Sequence, residues 1–115
     1  MKIIYHVGDM QGWPKVFNSL GGFFQVAPQS FDLLILANGP GVQGLVKTDN
    51  PQGDFSPYER LPELVEKGAK ILACENALRR NNIDVKDLPA FVSTVSSSIV
   101  ELAEKQAAGY SYIRA

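Results

Sequence analysis

The chain has one thiol and one imidazole, Cys74 and His6, in 115 residues. Cys74 stands where the apolar run AKILAC passes into the basic segment ENALRRNN. A thiol at a strand end that faces a helix N-terminus feels unpaired backbone N–H groups and the positive end of the helix dipole. Both favour the thiolate, the nucleophilic form of cysteine. Arg79 and Arg80 follow about one turn later and would add positive potential if they turned back toward the sulfur. The competing reading is a cysteine packed as a small hydrophobe, where burial raises the pKa instead. His6 is the available base, and a Cys–His pair is a common activating arrangement. A core histidine with its hydrogen bonds satisfied is the alternative.

Other chemistries find less support. One His and one Cys match no zinc spacing, so no metal site is expected. There is no second cysteine for CxxC redox chemistry, and a resolving thiol would have to come from another chain. The turn Asn38-Gly39-Pro40-Gly41-Val42 lacks both GxxxxGK[ST] and GxGxxG. Pro40 also removes an N–H that an anion cradle would use. It reads as a tight strand-to-helix turn, and no cofactor is expected. The Asn38 amide remains free to donate to a ligand there. Ser96, Ser97 and Ser98 read as helix-cap and loop residues. A serine nucleophile would also have to claim the only imidazole.

The elements that must position these residues alternate. Residues 2–7 (KIIYHV) and 32–37 (DLLILA) read as strands, and a run apolar on both faces suits a parallel strand covered on each side. Between them, Pro14 opens a helix whose Trp13, Phe17, Leu20 and Phe24 recur at helical spacing. That periodicity makes the stripe core rather than a cofactor box. Gly21 and Gly22 weaken its last turn. GLVK reads as a short helix and TDNPQGD as a polar loop. Ser56-Pro57-Tyr58-Glu59 reads as a capping box, with Leu61, Leu64 and Val65 as the buried face of the helix that follows and Pro62 as its awkward residue. Gly68 stops it.

Residues 69–74 form a third strand, followed by a helix through Leu78 and Arg79 that ends near Asn81-Asn82. A turn is expected from Asp84 to Pro89 and a weak strand over 90–95. Ser98-Ile99-Val100-Glu101 reads as a second capping box for a helix to about Ala108. Gly109 ends that helix, and Tyr110 to Ile113 closes the chain as a β segment.

Strands alternating with helices predict an α/β three-layer sandwich with a mostly parallel sheet. In such sheets the site forms beyond the carboxyl ends of the strands. That rule brings His6 to Asp9, Asn38 to Gly41, Cys74 to Asn76 and Ser96 to Ser98 to one edge. Cys74 is the expected catalytic residue, with His6, Asn38, Asn76 and Arg79 as edge residues that bind.

Length and composition set the frame. The length fits one domain, residues 1–115. A net charge of −1 argues against nucleic acid or an anionic membrane as partner. No segment approaches the roughly 18 apolar residues of a membrane span. A single cysteine makes no internal disulfide, which suits a reducing, cytoplasmic compartment.

Several segments also carry a resemblance: YHV in the opening strand, the WP helix start, ANGPGV, ACENALRRNNID and VSSSIVELAEKQAAGYSYIR. Over nearly the whole length the chain resembles the DsrE/DsrF-like family, on a small single-domain branch, and is similar to sulfur-relay subunits of the TusD type. The resemblance implies a flavodoxin-like α/β/α domain with a five-stranded parallel sheet, assembled as a homo-oligomer such as a trimer or hexamer. It also implies that Cys74 accepts sulfane sulfur from a donor protein and passes it on as a persulfide. Two other readings stand beside it. One is a non-enzymatic module that binds a small molecule or protein while Cys74 only packs. The other is an oligomeric scaffold that docks through YSYIR, a short aromatic edge strand.

Overall fold

The computed structural model describes residues 1–47 and 55–115. The predicted polar loop TDNPQGD, residues 48–54, lies outside them. Element order is β1 (Lys2–Val7), α1 (Gly12–Val26), β2 (Asp32–Ala37), a 3₁₀ helix (Gly39–Leu45), α2 (Pro57–Glu66), β3 (Ala69–Cys74) and α3 (Glu75–Arg80). A short 3₁₀ turn (Val85–Asp87), β4 (Val92–Val95), α4 (Ser98–Ala107) and β5 (Ser111–Arg114) complete it. The five strands form one sheet in the order β4-β3-β2-β1-β5, and every neighbouring pair is parallel. Helices cover both faces, as the flavodoxin-like α/β/α expectation requires.

Alternation along the strands divides the core in two. Tyr5, Val7, Leu33, Ile35, Ala37, Ile71 and Ala73 face a large cluster built with Trp13, Val16, Phe17, Leu20, Leu61, Leu64 and Leu78. Ile4, Leu34 and Leu36 face the other way, against Leu72, Val95, Leu102 and Tyr110. Thus α1, α2 and α3 pack one face, while α4 covers the other with Ser98 as its buried residue. His6 shares the α4 side with Ile4, two residues away, because successive strand side chains point to opposite faces.

Some local expectations change. α1 runs on to Val26 despite Gly21 and Gly22. Phe23 and Phe24 pack on Phe31, at ring distances of 5.2 and 6.2 Å, which ties down the last turn. The short helix expected at GLVK is instead the 3₁₀ segment that starts at Gly39. Its glycines serve close packing. A β-carbon on Gly41 would lie 2.5 Å from the Val7 carbonyl oxygen, and one on Gly44 would strike the Trp13 indole. Trp13 Nε1 in turn donates to the Gly41 carbonyl at 2.9 Å.

The two capping boxes also differ from expectation. Ser56 is the N-cap of α2 but its side chain makes no capping hydrogen bond. At α4 the cap is Ser97, whose hydroxyl accepts from the Val100 N–H at 3.4 Å. Ser98 is one residue inside the helix and is left for another use. Pro62 sits within α2 on its exposed side, and Leu61 and Leu64 hold that helix to the core.

Candidate functional site

Because the strands are parallel, their carboxyl ends share one edge, and the chain leaves each strand there. β1 delivers His6, the residue after β2 is Asn38, β3 ends on Cys74, and α4 opens on Ser98 just beyond β4. In register, His6 lies beside Leu36 on β2 and Arg114 on β5, and Cys74 lies beside Val95. β5 also places Tyr112 beside Ile4, on the face where His6 points.

These side chains form a continuous hydrogen-bond chain. Tyr112 Oη lies 2.8 Å from His6 Nδ1, and His6 Nε2 lies 2.6 Å from Asn38 Oδ1. Asn38 Nδ2 donates to Ser98 Oγ at 3.1 Å. The amide sets the direction of every link. An amide oxygen only accepts, so His6 Nε2 carries a ring proton and donates it. With that as its single ring proton, His6 accepts the Tyr112 O–H at Nδ1. Ser98 Oγ, already accepting from Asn38, keeps its own proton to give, and its hydroxyl is one of the groups that lower the Cys74 thiol.

Cys74 is 4% exposed and lies at the margin of the large apolar cluster. Burial pushes the thiol up. Against it stand the N–H groups of Ala77, Ser98 and Asn76 and the hydroxyl of Ser98, all donors to sulfur, and the net result is a thiol held below its ordinary range. The N–H groups are available because Cys74 is the N-cap of α3 and Ser98 starts α4, so two helix starts converge on one sulfur.

The expected edge residues fall into two groups. His6 and Asn38 come together in the chain that leads to Cys74. No hydrogen bond joins His6 to Cys74 directly, since both ring nitrogens are taken and Asn38 and Ser98 stand between them. The side chains of Asn76 and Arg79 pair with each other on the exposed side of α3, Arg79 Nη2 donating to Asn76 Oδ1. Asn76 reaches the sulfur through its backbone N–H alone, and Arg79 is not among the groups that shift the thiol. Two members of the chain, Ser98 and Tyr112, were not anticipated in these roles. Three consecutive serines look like one cap from composition, and only the seating of Ser97 as cap separates them. Tyr112 required the β1–β5 register, which no local signal carries.

The described residues contain no helix long and apolar enough to cross a membrane. No curated protein matches the chain in sequence. Solved structures do resemble it. The fold is similar to that of a protein of unknown function, MTH1491, from Methanobacterium thermoautotrophicum. That match has a TM-score of 0.81 and 24% identity and covers 99% of this chain and 98% of that one. It is also similar to the ychN protein of E. coli, with a TM-score of 0.71 and 19% identity over 100% of both chains. The family model described as DsrE/DsrF-like matches residues 16–115, which include Asn38, Cys74, Ser98 and Tyr112. By that match over most of its length, the chain belongs to the DsrE/DsrF-like family.

Proposed function

We propose that this protein carries sulfane sulfur as a persulfide on Cys74. The observation that supports it most is the set of four neutral donors aimed at a thiol that no disulfide uses. The same donors suit a persulfide anion, so the carrier needs no adjacent base. Family membership is consistent with a sulfur-relay role. His6 and Asn38 serve this reading through Ser98, and Asn76 through its backbone.

The step balances without an outside oxidant. The Cys74 thiolate attacks the terminal sulfur of a donor persulfide, R–S–SH. A bond forms between Sγ and that sulfur while the donor's S–S bond breaks. Its electron pair leaves on R–S⁻, which takes up the proton given by the transferred sulfur. An acceptor thiolate then removes the sulfur by the same exchange in reverse. The rate depends on thiolate fraction, nucleophilicity and access. The partners of this reading are a donor protein, an acceptor protein and further copies of the chain in a trimer or hexamer.

The test is incubation with a low-molecular-weight persulfide followed by intact mass spectrometry. Wild type should gain one sulfur atom and Cys74→Ser none. No gain in wild type, or equal gain in the variant, overturns the proposal.

The low exposure of Cys74 favours a second reading, a binding module of the same fold whose thiol only packs. It expects native Cys74 to resist alkylation near neutral pH and to react only on unfolding. Rapid alkylation of the folded protein removes it.

A further inference from the structure

We propose that Tyr112, His6, Asn38 and Ser98 act as one positioning relay that holds the Ser98 hydroxyl as a donor to the Cys74 sulfur, so that strand β5 governs a thiol on β3. The inference rests on reading Cys74 as a reactive thiol.

Three features separate this chain from incidental polar packing. First, its polarity is consistent from end to end. Each member donates toward the sulfur, and reversing any one link would leave two donors or two acceptors facing each other. Second, it is costly to bury. His6 is 8% exposed and Ser98 9%, and such groups are tolerated only when bonded. Among the described residues every buried side-chain nitrogen and oxygen has a partner. The partners here are distant in sequence, separated by 106, 32 and 60 residues, so the whole sheet edge must assemble to satisfy them. Third, Ser98 is released from capping by Ser97, which leaves its hydroxyl free to serve the sulfur.

The charged groups around the relay are few. Arg114 on β5 sends its guanidinium over Gly8, whose missing side chain leaves a gap: a β-carbon there would lie 3.4 Å from Arg114 Nη2, 3.5 Å from Asn38 Oδ1 and 3.8 Å from His6 Nε2. Asp9 beyond β1 is turned to the Gly12 N–H at 2.9 Å, and Glu101 on α4 is paired with Lys105 at 2.7 Å. On α3, Glu75 adjoins Cys74 and Arg79 is engaged with Asn76. The relay acts by orientation: it decides whether the Ser98 proton points at sulfur or elsewhere.

Removing or reversing a link should therefore change the thiol without touching it. Ser98→Ala deletes the donor. Asn38→Asp puts an acceptor where Ser98 needs a donor, so the hydroxyl turns to the carboxylate instead of the sulfur. Tyr112→Phe leaves His6 Nδ1 without its Tyr112 partner and loosens the ring that holds Asn38. Tyr112 is 40% exposed, so this last change spares the core.

The experiment is the pH profile of iodoacetamide alkylation of the folded protein, for wild type, these three variants and Ser98→Thr. Ser98→Ala and Asn38→Asp should lower the rate at neutral pH roughly tenfold, the worth of one hydrogen bond to an ionised group, and move the midpoint upward. Tyr112→Phe should do so to a smaller extent, and Ser98→Thr should restore the wild-type profile. A wild-type midpoint below the ordinary thiol range that none of the variants moves overturns the relay and leaves the carrier reading standing. A wild-type midpoint at or above that range overturns the reactive thiol and the relay with it.

Discussion

Burial and hydrogen bonding pull the Cys74 sulfur in opposite directions, and the donors prevail. The folded protein therefore favours the thiolate more than the unfolded chain does, whose thiol keeps its proton up to about pH 8.5. Between the folded midpoint and that value the unfolded chain binds more protons, so stability rises with pH across the window. The contribution is complete above the unfolded pKa and is lost as pH falls through the folded one. Wild type should accordingly gain stability over Cys74→Ala as pH rises through the folded midpoint toward about 9.5, beyond a constant offset for the deleted sulfur. Denaturant midpoints of the two proteins across that range measure it. A difference that stays flat, or shrinks as pH rises, would show that burial outweighs the donors and that the thiol is a packing residue.

At the scale of elements, neighbouring serines at the head of α4 divide two tasks. Ser97 caps the helix and Ser98 faces the sulfur. Ser97→Ala should cost about 1 kcal/mol of stability, as for a lost N-cap, while leaving the alkylation profile of Cys74 in place. Chemical denaturation and alkylation, run on the same variant, separate the effects; a shifted profile would mean that the cap, not the relay, orients Ser98. The two serines also mark how far the sequence could be read. β1, β2 and β3 begin and end where their apolar runs do, because strands buried on both faces leave an uninterrupted signal. The outer strands are less sharply marked: β4 occupies Val92–Val95 within the expected 90–95, and β5 sits one residue later than expected. Half-exposed edge strands carry mixed composition. The carboxyl-end rule brought His6, Asn38, Cys74 and the serine run to one place. Rotamer and register, which decide that His6 meets Tyr112 and Asn38 rather than Cys74, are set by the assembled sheet.

At the scale of the molecule, apolar surface is left open beside the edge that holds the sulfur. α4 opens with Ile99 and Val100, 78% and 54% exposed, immediately after Ser98. β5, an edge strand of the sheet among the described residues, leaves Tyr112 and Ile113 40% and 41% exposed. A second copy seated on this surface would cover both, which suits the homo-oligomer that the family resemblance implies. Ile99→Asp is the informative variant. The side chain is solvent-facing, so the core is untouched, and a carboxylate in the first turn suits the helix dipole. The monomer should therefore fold as well as wild type. Light scattering at micromolar concentration should give wild type a mass several times that of one chain and the variant a smaller species. A wild-type monomer at that concentration would remove the scaffold and the assembly together, and Cys74 would then meet its donor from the mouth of a single chain.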